Sequence, residues 1–412
     1  MKEFGIKQMN IASDLNPLLK NVRFTPEFRL VAACSWLPVS DHSLRQSDII
    51  ESLLNCKLNW SEVTPLVLRH GVVGQFCAVM GKRGWVNVPD EMRDHLKSYR
   101  TQQVARALAQ VAALKRVGRL FSEAGIPLMP LKGVALSQGI YGDPCVRSSC
   151  DLDILVKRGD VERAEGVLTQ AGYHHSLDFH EMHERQKRHI VDTLHHHEYV
   201  GDINNSSIEL HWRSYLWSKE QVDVLWETSN HSGWLGIGLV ELSTVENILF
   251  LADHGARHGW PNLKWLSDIA MLMESMHEEE LHSLLGRAAF FDLQRVMCQT
   301  ALLLRWFYGI TLPEKYGECD LSGVTVTKLA VHAVSQLLAS GDEIVSQGKR
   351  LIGPRMALQL KQLKPSTPLS ALLRGVMITH ADFVDFPLPD YLFWLYIPLR
   401  PYFWFKRHYL KR

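Results

Sequence analysis

Apolar side chains recur at a helical spacing in two long parts of the chain, and the part between them alternates strand and helix signals. Recurrence at i, i+3 and i+4 is the pattern of a helix that buries one face. It predicts helices over residues 26–36, 47–56, 61–80, 90–123, 244–252, 263–276, 281–289, 293–307 and 324–338. The alternating signals occupy residues 126–215.

This order of elements predicts an α+β fold, in which a small mixed sheet is flanked along the chain by N-terminal and C-terminal helical regions. With 412 residues, the chain is long enough for two or three domains. We expect an N-terminal helical region at 1–100, a mixed core at 101–240, a C-terminal helical region at 241–385 and an aromatic and basic C-terminal segment at 386–412.

Two aspartates stand at the start of an apolar run in the mixed core. Asp151 and Asp153 flank Leu152 and are followed by the apolar residues 154–156. Residues i and i+2 of a strand share one face, so the two carboxylates are expected side by side at the mouth of a buried strand. Adjacent carboxylates repel each other unless a cation lies between them, and Mg²⁺ is the usual cation. The alternative is that these aspartates only cap loop amides.

A third carboxylate, Glu209, lies in residues 207–212, which alternate like a half-buried strand. If this strand pairs beside the strand of Asp153, then Asp151, Asp153 and Glu209 form a cluster of hard oxygen ligands. Such a cluster suits one or two Mg²⁺ or Mn²⁺ ions that also hold a triphosphate. His211 is two residues beyond Glu209 and is expected to share its face, within reach of the residues around the metal.

Two basic positions near the aspartates are candidates for phosphate binding. Lys132 follows the apolar run 127–131, and Gly133 begins a predicted helix, whose N-terminus favours anions. Arg147 lies four residues before Asp151 and can neutralise phosphate charge. The alternatives are a surface lysine beside a structural glycine, and a salt bridge from Arg147 to Asp143 or Asp151.

The order of these motifs resembles that of bacterial uncharacterised nucleotidyltransferases within the polymerase-beta-like nucleotidyltransferase superfamily. The resemblance covers roughly residues 100–275 and rests on the sequences LKG at 131–133, Arg147, DLD at 151–153, GY at 172–173, ELHW at 209–212, VEN at 245–247, His254 and LKWLSDI at 263–269. It implies that the core at 101–240 is the nucleotidyltransferase domain. It also implies that the following helices close the nucleotide pocket, so that Lys264 meets phosphate; an ion pair between Lys264 and Asp268 is the alternative.

The resemblance further implies a reaction. An NTP is the substrate, Mg²⁺ or Mn²⁺ is the cofactor, and a nucleoside monophosphate passes to an acceptor with release of pyrophosphate. Asp151 and Asp153 would be ligands to both metal ions and Glu209 to the catalytic one. A sugar phosphate, a peptide or another small molecule is the expected acceptor, and the preferred base and the oligomeric state stay open.

Two other functions stay open. Most of the superfamily has a Gly-Ser or Gly-Gly pair shortly before the carboxylates, whereas the Lys132-Gly133 pair lies further upstream. This difference allows a catalytically degenerate protein that binds nucleotides or serves as a scaffold. A nucleotidyltransferase that acts on tRNA, or as a toxin, would need a basic groove. The formal net charge of +1 gives no strong sign of nucleic-acid binding.

The remaining chain suggests a cytoplasmic protein. The N-terminus lacks the apolar core of a secretory signal, and no apolar run approaches the roughly 18–20 residues of a spanning helix. The C-terminal segment joins aromatic side chains to a basic end at Lys406, Arg407, Lys411 and Arg412. This pattern is typical of an interfacial segment and predicts peripheral contact with the inner face of the membrane. Docking onto the chain's own helical region is the alternative.

Histidines are concentrated between residues 174 and 197, including His180, and end in the triplet His195, His196 and His197. Their spacing matches no common zinc motif. The triplet is predicted to alternate in a strand, so its three side chains cannot all converge on one ion. The pattern favours a solvated or substrate-contacting face over a structural zinc site.

Overall fold

The computed structural model of the protein describes residues 24–38, 42–176, 182–201, 207–214, 217–311, 324–339, 378 and 380–406. Two compact units are interleaved along the chain. The helical unit takes its described residues from 1–108, 133–149 and 242–364. The sheet unit takes its described residues from 109–132, 150–241 and 365–412. Four residues named in the sequence analysis lie outside the described residues: His180, Arg407, Lys411 and Arg412.

The helical unit contains α1 (Pro26–Cys34), α2 (His42–Leu54), α3 (Trp60–Arg69), α4 (Val73–Lys82), the first half of α5 (Asp90–Glu123), α6 (Gly133–Tyr141), α10 (Thr244–Arg257), α11 (Leu263–Glu274), α12 (Glu278–Phe290), α13 (Gln294–Tyr308) and α14 (Val324–Leu338). The sheet unit contains β1 (Met129–Pro130), β2 (Leu152–Leu155), α7 (Val161–Gln170), β3 (Tyr173–His175), α8 (Glu184–Thr193), β4 (His196–Gly201), β5 (Ser207–His211), α9 (Lys219–Glu227), β6 (Asn230–Ser232), β7 (Leu239–Glu241), α15 (His380–Asp385) and α16 (Tyr396–Phe405). The predicted α+β class with a small mixed sheet is confirmed. The four-part division of the chain stays a prediction.

The single helix predicted over residues 61–80 is wrong, because the chain forms α3 and α4 with a break between them. Gly71 adopts φ 67°, in the left-handed region that favours glycine. A Cβ on Gly71 would also lie 2.9 Å from Lys264 Cδ and 3.0 Å from Ser148 Oγ. The apolar spacing continues on both sides of Gly71, so periodicity alone conceals the break.

The main sheet has the strand order β1-β2-β5-β4-β3. The central pair, β2 and β5, is parallel, and the other pairs are antiparallel. On one face, Ile154 of β2 and Leu210 of β5 are fully buried, and His197 of β4 pairs through Nδ1 with Glu165 Oε1 of α7 at 2.6 Å. The opposite face therefore carries the alternate residues of the same strands, including Asp153 and Glu209.

The C-terminal segment has a buried side and an exposed side. Tyr396 and Phe403 of this segment form a buried cluster with Phe383 of α15 and with Met182 and Ile190 near α8. Among the described residues of this segment, the exposed large side chains are Tyr391, Trp394, Ile397, Tyr402 and Phe405. The buried side thus packs within the sheet unit, and contact of the exposed side with a membrane stays a prediction. Among the described residues, no helix has both the length and the apolar character to cross a bilayer.

Gly74 and Gly81 of α4 provide a matched test of packing in the helical unit. A Cβ on Gly74 would lie 2.0 Å from Val146 O, a backbone atom that cannot rotate away. We expect Gly74→Ala to lower the free energy of unfolding by about 1–3 kcal/mol. A Cβ on Gly81 would meet Trp85 Nε1 at 3.9 Å, so Gly81→Ala should raise that free energy by about 0.4–1 kcal/mol. Chemical unfolding followed by circular dichroism measures both, and equal stability of the two variants contradicts the close approach.

His70 makes the stability of the helical unit depend on pH. It is fully buried, Nδ1 accepts a hydrogen bond from Leu263 N at 3.4 Å, and burial together with Arg69 lowers its pKa to about 3. The unfolded chain, with a histidine pKa of about 6.5, therefore binds this proton more tightly. The stability contributed by neutral His70 is complete above pH 6.5 and falls by about 1.4 kcal/mol per pH unit as the pH drops toward 3.

We expect His70→Gln to flatten this dependence of the unfolding free energy on pH, because glutamine does not titrate. The measurement is urea unfolding between pH 7 and pH 5. His95→Gln, at an exposed position of α5, is the control and should keep the slope of the wild type. A His70→Gln slope equal to the wild-type slope refutes the assignment.

Candidate active site

Asp153 and Glu209 are direct neighbours across the two parallel strands at the centre of the sheet. The register of β2 and β5 pairs Asp153 with Glu209, so their side chains project from the same face. The predicted pairing of these two strands is confirmed. Oxygen atoms of both carboxylates and a nitrogen of His211 lie within 4.8 Å of one another.

Two basic side chains compensate these carboxylates. Lys132 Nζ lies 3.0 Å from Asp153 Oδ1, and the Asp153 side chain is fully buried. His211 Nε2 lies 3.3 Å from Asp153 Oδ1 and 3.2 Å from Glu209 Oε2. The basic groups therefore face the carboxylates directly, in a position where water is largely excluded.

The electrostatic balance of this cluster favours the charged forms. Burial raises the pKa of Asp153, but Lys132 and His211 outweigh it and hold the pKa well below its usual range. Burial lowers the pKa of Lys132 and of His211, but the neighbouring carboxylates outweigh it and raise both pKa values. The Asp153 carboxylate and the basic groups of Lys132 and His211 thus each favour the charged form of the other.

The donor set fits a divalent cation. Carboxylate oxygens are the ligands that Mg²⁺ and Mn²⁺ prefer, and Asp153 and Glu209 present theirs to a common space. Asp153 Oδ2 is buried and makes no hydrogen bond within the part of the chain that the structure describes. A buried, charged oxygen without a hydrogen bond lowers the stability of the fold unless a cation binds it.

Asp151 precedes β2 and is half-buried. Its backbone oxygen accepts a hydrogen bond from Gln110 Nε2 at 3.4 Å, and its charge contributes to the raised pKa of Lys132. Its carboxylate is not part of the close group formed by Asp153, Glu209 and His211. The role of Asp151 as a metal ligand stays a prediction.

The chain leaves β1 at Pro130, and Gly133 begins α6, as predicted. Gly133 has φ 71°, which only glycine adopts at little cost. The expected phosphate contacts of Lys132 and Gly133 stay predictions. In the structure, Lys132 forms an ion pair with Asp153.

Arg147 and Lys264 belong to the helical unit. Arg147 is buried and its Nε donates to Asp268 Oδ2 at 2.7 Å, whereas the sequence suggested Asp143 or Asp151 as salt-bridge partners. Burial raises the pKa of Asp268, and Arg147 opposes that rise. Lys264 Nζ donates to Ser148 O at 3.3 Å. The predicted phosphate contacts of both side chains stay predictions.

The sequence interpretation missed a second group of donors in the sheet unit. Nitrogen atoms of His195, His196 and His211 lie within 4.8 Å of one another. Burial and the charge of His211 lower the pKa of His196 to about 4, so its imidazole is neutral near pH 7. The histidine triplet was the available signal, but its position beside β5 could not be read from ligand spacing.

Comparison with protein families adds an independent result. A family model described as uncharacterised nucleotidyltransferase matches residues 57–309, which is more than half of the chain. The chain belongs to this family. The predicted resemblance is therefore confirmed, and the nucleotidyltransferase match includes Lys132, Asp153, Glu209 and His211. No curated protein and no solved structure matches the chain significantly.

The buried contact between Lys132 and Asp153 can be tested through the stability of this nucleotidyltransferase. Lys132→Met removes the positive charge that lies closest to the buried Asp153 carboxylate. We expect this variant to lower the free energy of unfolding by about 3 kcal/mol in the presence of a chelator. The double variant Lys132→Met/Asp153→Asn should recover part of that loss, because the buried charge is removed as well.

Lys115→Met, at an exposed position of α5, is the control and should change the unfolding free energy by less than about 0.5 kcal/mol. The measurement is chemical unfolding followed by circular dichroism. If Lys132→Met is as stable as Lys115→Met, Lys132 does not stabilise the buried charge of Asp153.

Proposed function

We propose that this nucleotidyltransferase transfers a nucleoside monophosphate from an NTP to an acceptor molecule and releases pyrophosphate, with Mg²⁺ or Mn²⁺ as cofactor. One observation carries the proposal. Asp153 and Glu209, inside the region that matches the family, stand side by side on parallel strands, with an oxygen of each and a nitrogen of His211 within 4.8 Å of one another. Paired carboxylates of this kind are suited to hold metal ions against a triphosphate.

Asp153 and Glu209 would hold the divalent ion, with Asp151 as the third predicted ligand. When bound, such an ion neutralises triphosphate charge and makes an acceptor hydroxyl easier to deprotonate. Glu209 keeps 26% of its side chain exposed, whereas Asp153 is fully buried, so Glu209 is the carboxylate nearer to an incoming substrate. The paired strands place both groups side by side before substrate arrives, which lowers the cost of organising the site.

We propose two roles for Lys132. Its ammonium keeps Asp153 ionised and therefore ready to bind a cation. It also offers positive charge beside the carboxylates, where phosphate oxygens would enter. We propose a contact from His211 to the nucleotide on the strength of the family resemblance.

The acceptor supplies an oxygen that attacks the α-phosphorus in line, and the bond to the β-phosphate breaks as pyrophosphate leaves. A sugar phosphate, a peptide or another small molecule is the acceptor class we favour. The formal net charge of +1 supports a small acceptor over a nucleic acid, whose binding normally requires many basic contacts.

A nucleotide-binding role without transfer is the second candidate. The observation in its favour is that Lys132 Nζ and His211 Nε2 both lie within 3.3 Å of Asp153 Oδ1, so basic groups of the chain already balance this oxygen. In that case an NTP would bind, but no pyrophosphate would be released.

Substitution of the paired carboxylates tests the transfer reaction. We expect Asp153→Asn and Glu209→Gln each to reduce pyrophosphate release by about 100-fold or more, because each removes a charge that would hold the metal. The assay combines each of the four NTPs with Mg²⁺ or Mn²⁺ and a cell extract as the source of acceptor, and mass spectrometry identifies the nucleotidylated product.

Glu162→Gln, at an exposed position of α7, is the matched control and should retain wild-type turnover. Turnover that survives both active-site substitutions refutes the proposed roles of Asp153 and Glu209. NTP binding by the wild type without pyrophosphate release, in calorimetry on the same preparation, supports the nucleotide-binding role instead.

A further inference from the structure

We propose that His195, His196 and His211 form a binding site for one transition-metal ion with a preference for nitrogen ligands, of which Zn²⁺ is the representative. The site lies in the sheet unit, next to the pair formed by Asp153 and Glu209. It is distinct in its donor chemistry from the proposed Mg²⁺ or Mn²⁺ site, and it does not depend on nucleotidyl transfer.

Strand register brings two of the three imidazoles together. His196 of β4 is paired with His211 of β5, and paired residues of antiparallel strands project from the same face. His195 precedes β4, so the strict alternation of the strand does not apply to its side chain. Its backbone oxygen accepts a hydrogen bond from Trp212 N at 3.2 Å, which holds this residue at the end of β5. His197 obeys the alternation and contacts Glu165 on the opposite face.

The spacing of the three rings matches that of imidazoles around one ion. With Zn–N bonds of about 2.0–2.1 Å and tetrahedral angles, the ring centres of bound imidazoles lie about 5 Å apart. The ring centres of His195 and His196 are 4.5 Å apart, those of His196 and His211 4.9 Å, and those of His195 and His211 5.8 Å. The three rings are therefore already close to the spacing that one bound ion requires.

The donors also have the right chemistry. Imidazole nitrogen binds Zn²⁺, Co²⁺ and Ni²⁺ well, whereas Mg²⁺ prefers oxygen. His196 Nδ1 is buried and makes no hydrogen bond within the described part of the chain. Three protein ligands leave a fourth coordination position for water or another ligand, which is common in zinc sites that bind exogenous molecules.

The carboxylates support the third ligand. A histidine that binds a metal through one ring nitrogen usually donates its other N–H to a carboxylate, which fixes the orientation of the ring. His211 Nε2 lies 3.2 Å from Glu209 Oε2 and 3.3 Å from Asp153 Oδ1, so Nδ1 is the nitrogen left for the metal. The same contacts that order the carboxylate pair therefore also orient His211 for this ion.

Cobalt is the probe for this site, because nitrogen-coordinated Co²⁺ has visible absorption bands that report its ligands. Tag-free, full-length, chelator-treated protein is titrated with Co²⁺. We expect one equivalent to bind, and His195→Gln and His196→Gln each to weaken binding at least about tenfold. His231→Gln, at an exposed position of β6, is the matched control and should bind Co²⁺ like the wild type.

Thermal unfolding of the metal-free variants checks that they fold. X-ray absorption spectroscopy of the wild type loaded with one equivalent of Zn²⁺ provides a measurement that needs no variant, with about three imidazoles expected in the ligand shell. Absence of saturable Co²⁺ binding, unchanged binding in both cluster variants, or a zinc shell without imidazoles overturns the proposal. Pyrophosphate release assayed with Mg²⁺ on the same preparations is scored separately, so loss of either proposal leaves the other standing.

Discussion

The candidate site depends on the compensation of one buried charge. Asp153 is fully buried in β2, which lies between β1 and β5 in the sheet, and an ionised carboxylate in that position is tolerated only with a close cationic partner. Lys132 and His211 supply that partner from two different neighbours of β2, one after β1 and one at the end of β5. The sheet must therefore assemble around β2 with its register correct, because a shift of one residue would move Glu209 and His211 to the opposite face.

The two faces of the sheet have different chemical character, although the same strands form both. One face holds Ile154, Leu210 and the buried contact of His197 with Glu165, which fix the strands. The other face holds Asp153 and Glu209 in paired positions. Burial of the first face thus contributes the stability that allows charged groups to be held close together on the second face. The residues of the second face lie within the region that matches the nucleotidyltransferase family.

Much of the architecture could be predicted from the sequence, because helical and strand periods are local properties. The alternation around Glu209 predicted its strand, and the pairing with β2 followed. The break at Gly71 was not predictable from apolar spacing, since the spacing persists across it. The contact of Arg147 with Asp268 joins residues 121 positions apart and depends on packing that no local pattern contains. Likewise, His195 was assigned to a strand that in fact begins one residue later.

The parallel pairing of β2 with β5 has a consequence for how the protein folds. Asp153 and His211 are 58 positions apart in the chain, and the intervening residues must cross over before the two strands can meet. Closing such a long loop is slow relative to the formation of helices. A nascent chain in which β2 and β5 have not yet paired would contain every candidate ligand residue but would have no metal site. Metal binding during folding can therefore report when the sheet is complete.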